Sequence, residues 1–176
     1  YNRILDIFIK YNIRYFFYIG GNDSMDTCSK ISSYLSQHNY ECRVIGIPKT
    51  IDNDLALTDH CPGYGSAAKY IATTLMEVGR DAKVYDTGSI TVVEIMGRNA
   101  GWLTAASALA RVRDKDLGPD LIYLPEVPFD MADFISDVSR VYEQQGDVLI
   151  AVSEGIKDKN NTYIVSYFSD QTKEKD

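Results

Sequence analysis

Cysteine is scarce in this sequence. The 176 residues hold three, Cys28, Cys42 and Cys61, and their spacing matches no metal-ligand pattern. An odd, scattered count argues for a reducing compartment, the cytoplasm. Histidine is scarcer: His38, within Ser36-Gln37-His38-Asn39, reads as a solvated loop residue, and His60 is the only other. No histidine cluster therefore points to a metal site. A positive balance is also missing. The net charge of −7 argues against non-specific nucleic-acid binding, so an anionic substrate would need a local positive site against that field. No apolar run is long enough to cross a bilayer, and no signal-peptide pattern is present. Repeats and low-complexity tracts are absent. Tyr1 stands where an initiator Met would be, and the polar end Gln171-Thr172-Lys173-Glu174-Lys175-Asp176 has no closing element. The expectation is a fragment of a longer chain.

Hydrophobic residues make up 45% and charged residues 24%, the balance of a folded soluble protein. The length suits one domain or pieces of two. Helical and strand signals alternate, which predicts an α/β architecture with a largely parallel sheet. Helices are expected over residues 2–11, over a stripe of Met25, Cys28, Ile31 and Leu35, over Ala68, Ile71, Ala72, Leu75 and Met76, over 102–112, and over 131–143 with Asp130 as N-cap. Strands are expected over 14–19 (a compact aromatic run, read as buried), 43–47, 90–96, 121–124 and 148–152. The break around Gly63 to Gly65 is the candidate boundary, dividing residues 1–62 from 63–176.

The polar clusters fall at the carboxyl ends of these strands, the edge where open parallel sheets bind ligands. Gly20-Gly21-Asn22-Asp23-Ser24 lies between a strand and a helix. Glycines admit a phosphate close to the backbone and the helix start offers N–H donors, although a capped Gly-Gly turn would look the same. Pro48-Lys49-Thr50-Ile51-Asp52-Asn53-Asp54 is more specific. Of two carboxylates one residue apart, one can accept the proton of an attacking hydroxyl and the other can help hold Mg²⁺ through oxygen. Lys49 can offset charge on a transferring group and Thr50 can donate to a phosphate oxygen. The two runs together read as the centre of an enzyme that moves a phosphoryl group.

With Met96-Gly97-Arg98, Gly101 and Glu154 added, in this order and spacing, the sequence resembles the 6-phosphofructokinase family along nearly its whole length. Its pattern G-G-D-[GD]-[ST] is met by Gly20 to Ser24 with Asn22 for the first Asp. P-[GK]-T-I-D-N-D is met by Pro48 to Asp54, and M-G-R-x-x-G by Met96 to Gly101. The resemblance implies Rossmann-type parallel sheets with flanking helices in a two-domain fragment. Residues 1–62 would belong to a phosphoryl-donor domain, 63–176 to a sugar-phosphate domain, and the active site would lie between them.

The resemblance also implies roles. Asp52 would be the general base toward the sugar 1-hydroxyl, with Lys49, Asp23 and Arg98 as its catalytic companions. Thr50, Ile51, Asp52, Met96, Gly97, Arg98 and Glu154 would bind fructose 6-phosphate. Gly20, Gly21, Asp23, Ser24 and Lys49 would meet the donor, and Asn22 and Asp54 would lie near Mg²⁺. ATP-using members usually carry Gly at the position of Asp23 and often at that of Lys49, whereas users of pyrophosphate carry Asp and Lys. A carboxylate at Asp23 would repel the α-phosphate of ATP, so the pair implies pyrophosphate as donor. The implied whole is a cytoplasmic, reversible glycolytic enzyme, homo-oligomeric at full length, with no nucleic-acid or membrane partner. Three alternatives remain: an ATP-dependent member of the family, a relative of the NAD and lipid kinases, which share a Gly-Gly-Asp-Gly type loop, and a non-catalytic regulatory subunit of the same fold.

Overall fold

The computed structural model describes residues 1–167, so the expectation about residues 171–176 lies outside the described residues. The chain divides into two compact units, Tyr1–Thr50 and Ile51–Asp176. The division falls between Thr50 and Ile51 rather than at Gly63. Residues 51–62 pack on the second unit: Ile51 lines an apolar hollow with Ile71 and Leu75 of that unit, and the Tyr64 amide donates to the Cys61 carbonyl at 3.1 Å. Within the segment, buried Asn53 donates to the Asp59 carbonyl at 3.1 Å and accepts from the Cys61 amide at 2.8 Å.

The first unit holds α1 (Asn2–Lys10), β1 (Tyr15–Gly20), α2 (Asn22–Gln37) and β2 (Arg43–Pro48). The two strands pair in parallel, Tyr15 opposite Arg43 through Gly20 opposite Pro48. Its core is Phe8, Ile31 and Leu35, joined by half-buried Phe16 and Val44. Tyr40 fastens α1 to the turn after it, donating its hydroxyl to the carbonyls of Phe8 and Ile13 at 2.7 and 2.9 Å. The helix expected over 2–11 is observed over Asn2–Lys10, and α2 carries the expected stripe, with Cys28, Ile31 and Leu35 buried. The expected burial of β1 does not hold. Phe16 turns to the helices, but Tyr15, Phe17 and Ile19 are exposed, as are Ile45 and Ile47 of β2. Strand side chains alternate between faces, and α1 and α2 cover only one face of this two-stranded sheet. His38 is exposed in the turn that follows α2, as expected; it is the C-cap of that helix, with Nδ1 2.8 Å from the Tyr34 carbonyl.

The second unit holds α3 (Tyr64–Ala82), β3 (Ser89–Ile95), α4 (Trp102–Ala106), α5 (Ala110–Arg113), β4 (Leu121–Tyr123), α6 (Met131–Gln145) and β5 (Asp147–Ser153). Its strands are all parallel, in the order β3-β5-β4. Central β5 is covered on both faces. Leu149 and Ala151 join Leu75, Met76, Ile95 and Leu103 in one core, while Val148 and Ile150 meet Val138 and Val141 of α6 in the other. Double coverage is why this strand reads as an unbroken apolar run rather than an alternation. Asp130 caps α6, accepting from the amides of Ala132 and Asp133. The Tyr123 hydroxyl donates to Asp137 at 3.3 Å, and burial with that nearby carboxylate pushes the phenol up to about 12. The single helix expected over 102–112 is broken by a 3-10 turn at Ser107–Leu109. Tighter winding over so few residues leaves the alanine-rich apolar spacing unchanged, so the pattern carries no mark of it.

Candidate functional site

In the first unit the residues expected to meet the donor gather where β1 and β2 end together. Gly20 pairs with Pro48, and the Lys49 amide donates to the Gly20 carbonyl at 2.8 Å. The parallel ladder thus sets the Gly20–Ser24 turn beside Lys49. Gly20 lacks a side chain partly for a local reason, since a Cβ there would collide with Ser24 Oγ. Gly21 is the N-cap of α2 and no side chain caps it. Asp23, in the first turn, is therefore not the cap; it is exposed, and its carbonyl accepts from Thr27 Oγ1 at 2.8 Å. A carboxylate at a helix start is electrostatically at home there. Asn22 and Lys49 are also exposed, and Thr50 is the last residue of this unit.

In the second unit Asp52 and Asp54 are half-buried on either side of Asn53, whose φ of 58° is left-handed. The buried Asn53 amide group staples residues 53–61 into a loop, so the residue between the two carboxylates fixes the backbone that carries them. Ile51 and Met96 border one apolar hollow of about 300 Å³ with Ile71, Leu75 and Leu103.

The Met96-Gly97-Arg98 turn follows β3 and rests on the end of β5, where Ile95 pairs with Ser153. Gly97 has φ 121°, and a Cβ there would stand 2.5 Å from the Ala100 carbonyl. Its amide donates to Glu154 Oε1 at 3.1 Å, and its carbonyl accepts from Ser153 Oγ at 2.8 Å. Ser153 Oγ in turn accepts from the Gly155 amide at 3.0 Å. The Arg98 carbonyl lies so close to Gly155 that a Cβ could not fit between them. Glu154 is accordingly not a free loop carboxylate. Arg98 and Met96 are exposed at the rim.

The structure therefore brings Gly20 to Ser24 together with Lys49 in one unit, and Met96, Gly97, Arg98 and Glu154 together in the other, with Ile51 beside Met96. Sequence reasoning missed the residues that hold these in place: Asn53, Ser153 and Gly155. The signal for the last two was the Ser-Glu-Gly stop of an apolar strand, of which only Glu154 was read. Among the described residues no group of three or more His, Cys, Asp or Glu side chains gathers as a metal cage, and no helix is long and apolar enough to cross a membrane.

The sequence profile of the phosphofructokinase family matches residues 1–176. A pyrophosphate–fructose 6-phosphate 1-phosphotransferase of Rhodospirillum rubrum is 46% identical over 169 residues, 96% of this chain and 41% of that protein. One from Xanthomonas campestris is 45% identical over 166 residues, 93% of this chain and 40% of that protein. The chain thus spans about two fifths of the length of the curated relatives it matches. A crystal structure of a pyrophosphate-dependent phosphofructokinase from Nitrosospira multiformis superposes with a TM-score of 0.77 at 37% identity, covering 98% of this chain and 45% of that one.

Proposed function

The chain belongs to the phosphofructokinase family, and from that premise we propose that the protein carrying it transfers a phosphoryl group from pyrophosphate to the 1-hydroxyl of fructose 6-phosphate. The sugar oxygen attacks one phosphorus, the bridging P–O bond breaks, and phosphate leaves as fructose 1,6-bisphosphate forms. The hydroxyl proton passes to the Asp52 carboxylate, a general base by its chemistry and by the family resemblance. Arg98 meets the charge that spreads over the transferring group. Glu154, steadied at one oxygen by the Gly97 amide, keeps its other oxygen for the sugar. With pyrophosphate as donor the reaction is expected to run in both directions.

One observation carries the donor assignment. The Asp23 turn and Lys49 share one sheet edge, joined by the Lys49–Gly20 backbone bond. A carboxylate there excludes the α-phosphate of ATP, and a lysine there neutralises the shorter pyrophosphate. The names of the relatives point the same way. Asp54 would offer Mg²⁺ a hard oxygen donor, and Asn22, on the first unit, a neutral one. An ion bound through one carboxylate, waters and substrate phosphates needs no protein cage, and when bound it offsets charge on pyrophosphate. A cytoplasmic location and homo-oligomeric assembly follow from the same resemblance.

The test is an assay of the full-length protein with each donor. Turnover of fructose 6-phosphate with pyrophosphate is expected, and Asp23→Gly should raise the rate with ATP. Turnover with ATP alone would sink the donor assignment; binding of fructose 6-phosphate with no turnover on either donor would mark a regulatory subunit instead.

A further inference from the structure

The turn from Gly97 to Gly101 is held at both ends, and only one end is accounted for by Glu154. At the other end the Gly101 amide, in a buried residue, donates to Glu126 Oε1 at 2.7 Å. Glu126 follows β4 by way of Leu124 and Pro125. It comes close: a Cβ on Gly101 would stand 2.6 Å from Glu126 Oε2 and 2.8 Å from Pro125 Cδ. The turn that leaves β3 is thus suspended between two carboxylates, Glu154 after β5 and Glu126 after β4. Arg98 lies between the two points of attachment. Deleting the Glu126 carboxylate would leave a buried amide without its acceptor, which backbone strongly disfavours. The turn would then move to find another partner.

We propose that Glu126 is a positioning residue, setting Arg98 and Met96 at the sugar-phosphate end of the site while touching no substrate itself. The inference rests on the proposed fructose 6-phosphate reaction. Displacing a binding group by about 1 Å is enough to cost about 10²-fold, so the loss should fall on the substrate that the Gly97–Gly101 turn serves. Arg98 also meets the charge that develops on the transferring group, so its displacement should lower kcat as well, whereas ground-state binding of pyrophosphate, assigned to Asp23 and Lys49 on the other unit, should be little affected. Glu126→Gln keeps an oxygen that can accept from the Gly101 amide.

Steady-state kinetics of the full-length protein provide the test. In Glu126→Ala the KM for fructose 6-phosphate should rise about tenfold or more, with the KM for pyrophosphate within about twofold, and Glu126→Gln should restore most of the loss. Gly101→Ala, which leaves Glu126 intact but crowds it, should reproduce the same selective rise. An active wild type whose Glu126→Ala variant keeps its KM for fructose 6-phosphate, or loses affinity for both substrates alike, overturns the positioning role alone. A wild type that turns over neither donor overturns the proposed reaction, and the role of Glu126 with it.

Discussion

Asn53 illustrates how a single residue can serve a site without reacting in it. It sits between Asp52 and Asp54 in a left-handed conformation that asparagine tolerates better than most residues. Its side chain closes the loop by one bond to Asp59 and one from Cys61. Asn53→Ala should cost about 2–3 kcal/mol, from a buried amide left unpaired and a strained φ. Asn53→Gly should cost less, because it relieves only the backbone part. Denaturant midpoints of the two variants against wild type provide the measurement; equal losses would mean that the φ angle contributes nothing. The presence of this residue was legible in the sequence, as a member of the Pro48 to Asp54 run. Its structural task was not, because hydrogen bonds to residues six and eight positions ahead leave no periodic trace.

At the level of elements, the parallel pairing and the placement of the polar clusters after strands were legible in the alternation of helix and strand signals. What the patterns could not supply was which faces are covered. β1 and β5 both read as apolar runs. The first is open on one face and the second is enclosed on two, because coverage depends on which helices pack against a strand and not on the strand's own composition. The open face carries Tyr15, Phe17, Ile19, Ile45 and Ile47, a contiguous apolar stripe of the kind soluble surfaces seldom leave bare. The 176-residue chain on its own is therefore expected to bind a hydrophobic dye. The double change Phe17→Thr with Ile45→Thr should lower that fluorescence while moving stability by no more than about 0.5 kcal/mol, as exposed substitutions do. Undiminished dye binding would place the exposed apolar surface elsewhere.

On the scale of the whole chain, the two units differ in how much they bury. The first gathers one cluster around Phe8, Ile31 and Leu35, whereas the second encloses β5 between two clusters. Small units bury a smaller fraction of their surface and are correspondingly marginal. Native-state hydrogen exchange should therefore show the amides of β1 and β2 opening at lower free energy than those of Val148 to Val152; uniform protection across both units would contradict this. Family membership was legible at this scale because the motifs keep their order along the whole chain. The unit boundary was not, since Gly63 marks a helix start and the division at Thr50 is made by packing. The suspension of the Gly97–Gly101 turn from the ends of β4 and β5 has a further consequence. A slip of one residue between β3 and β5 would carry Gly97 about 3.3 Å past Glu154 and reverse the facing of every side chain on the slipped strand. A ligand held by that turn binds only the correctly registered sheet, and binding stabilises whatever it selects. On the proposed function, the sugar phosphate would therefore stabilise only the properly threaded molecule.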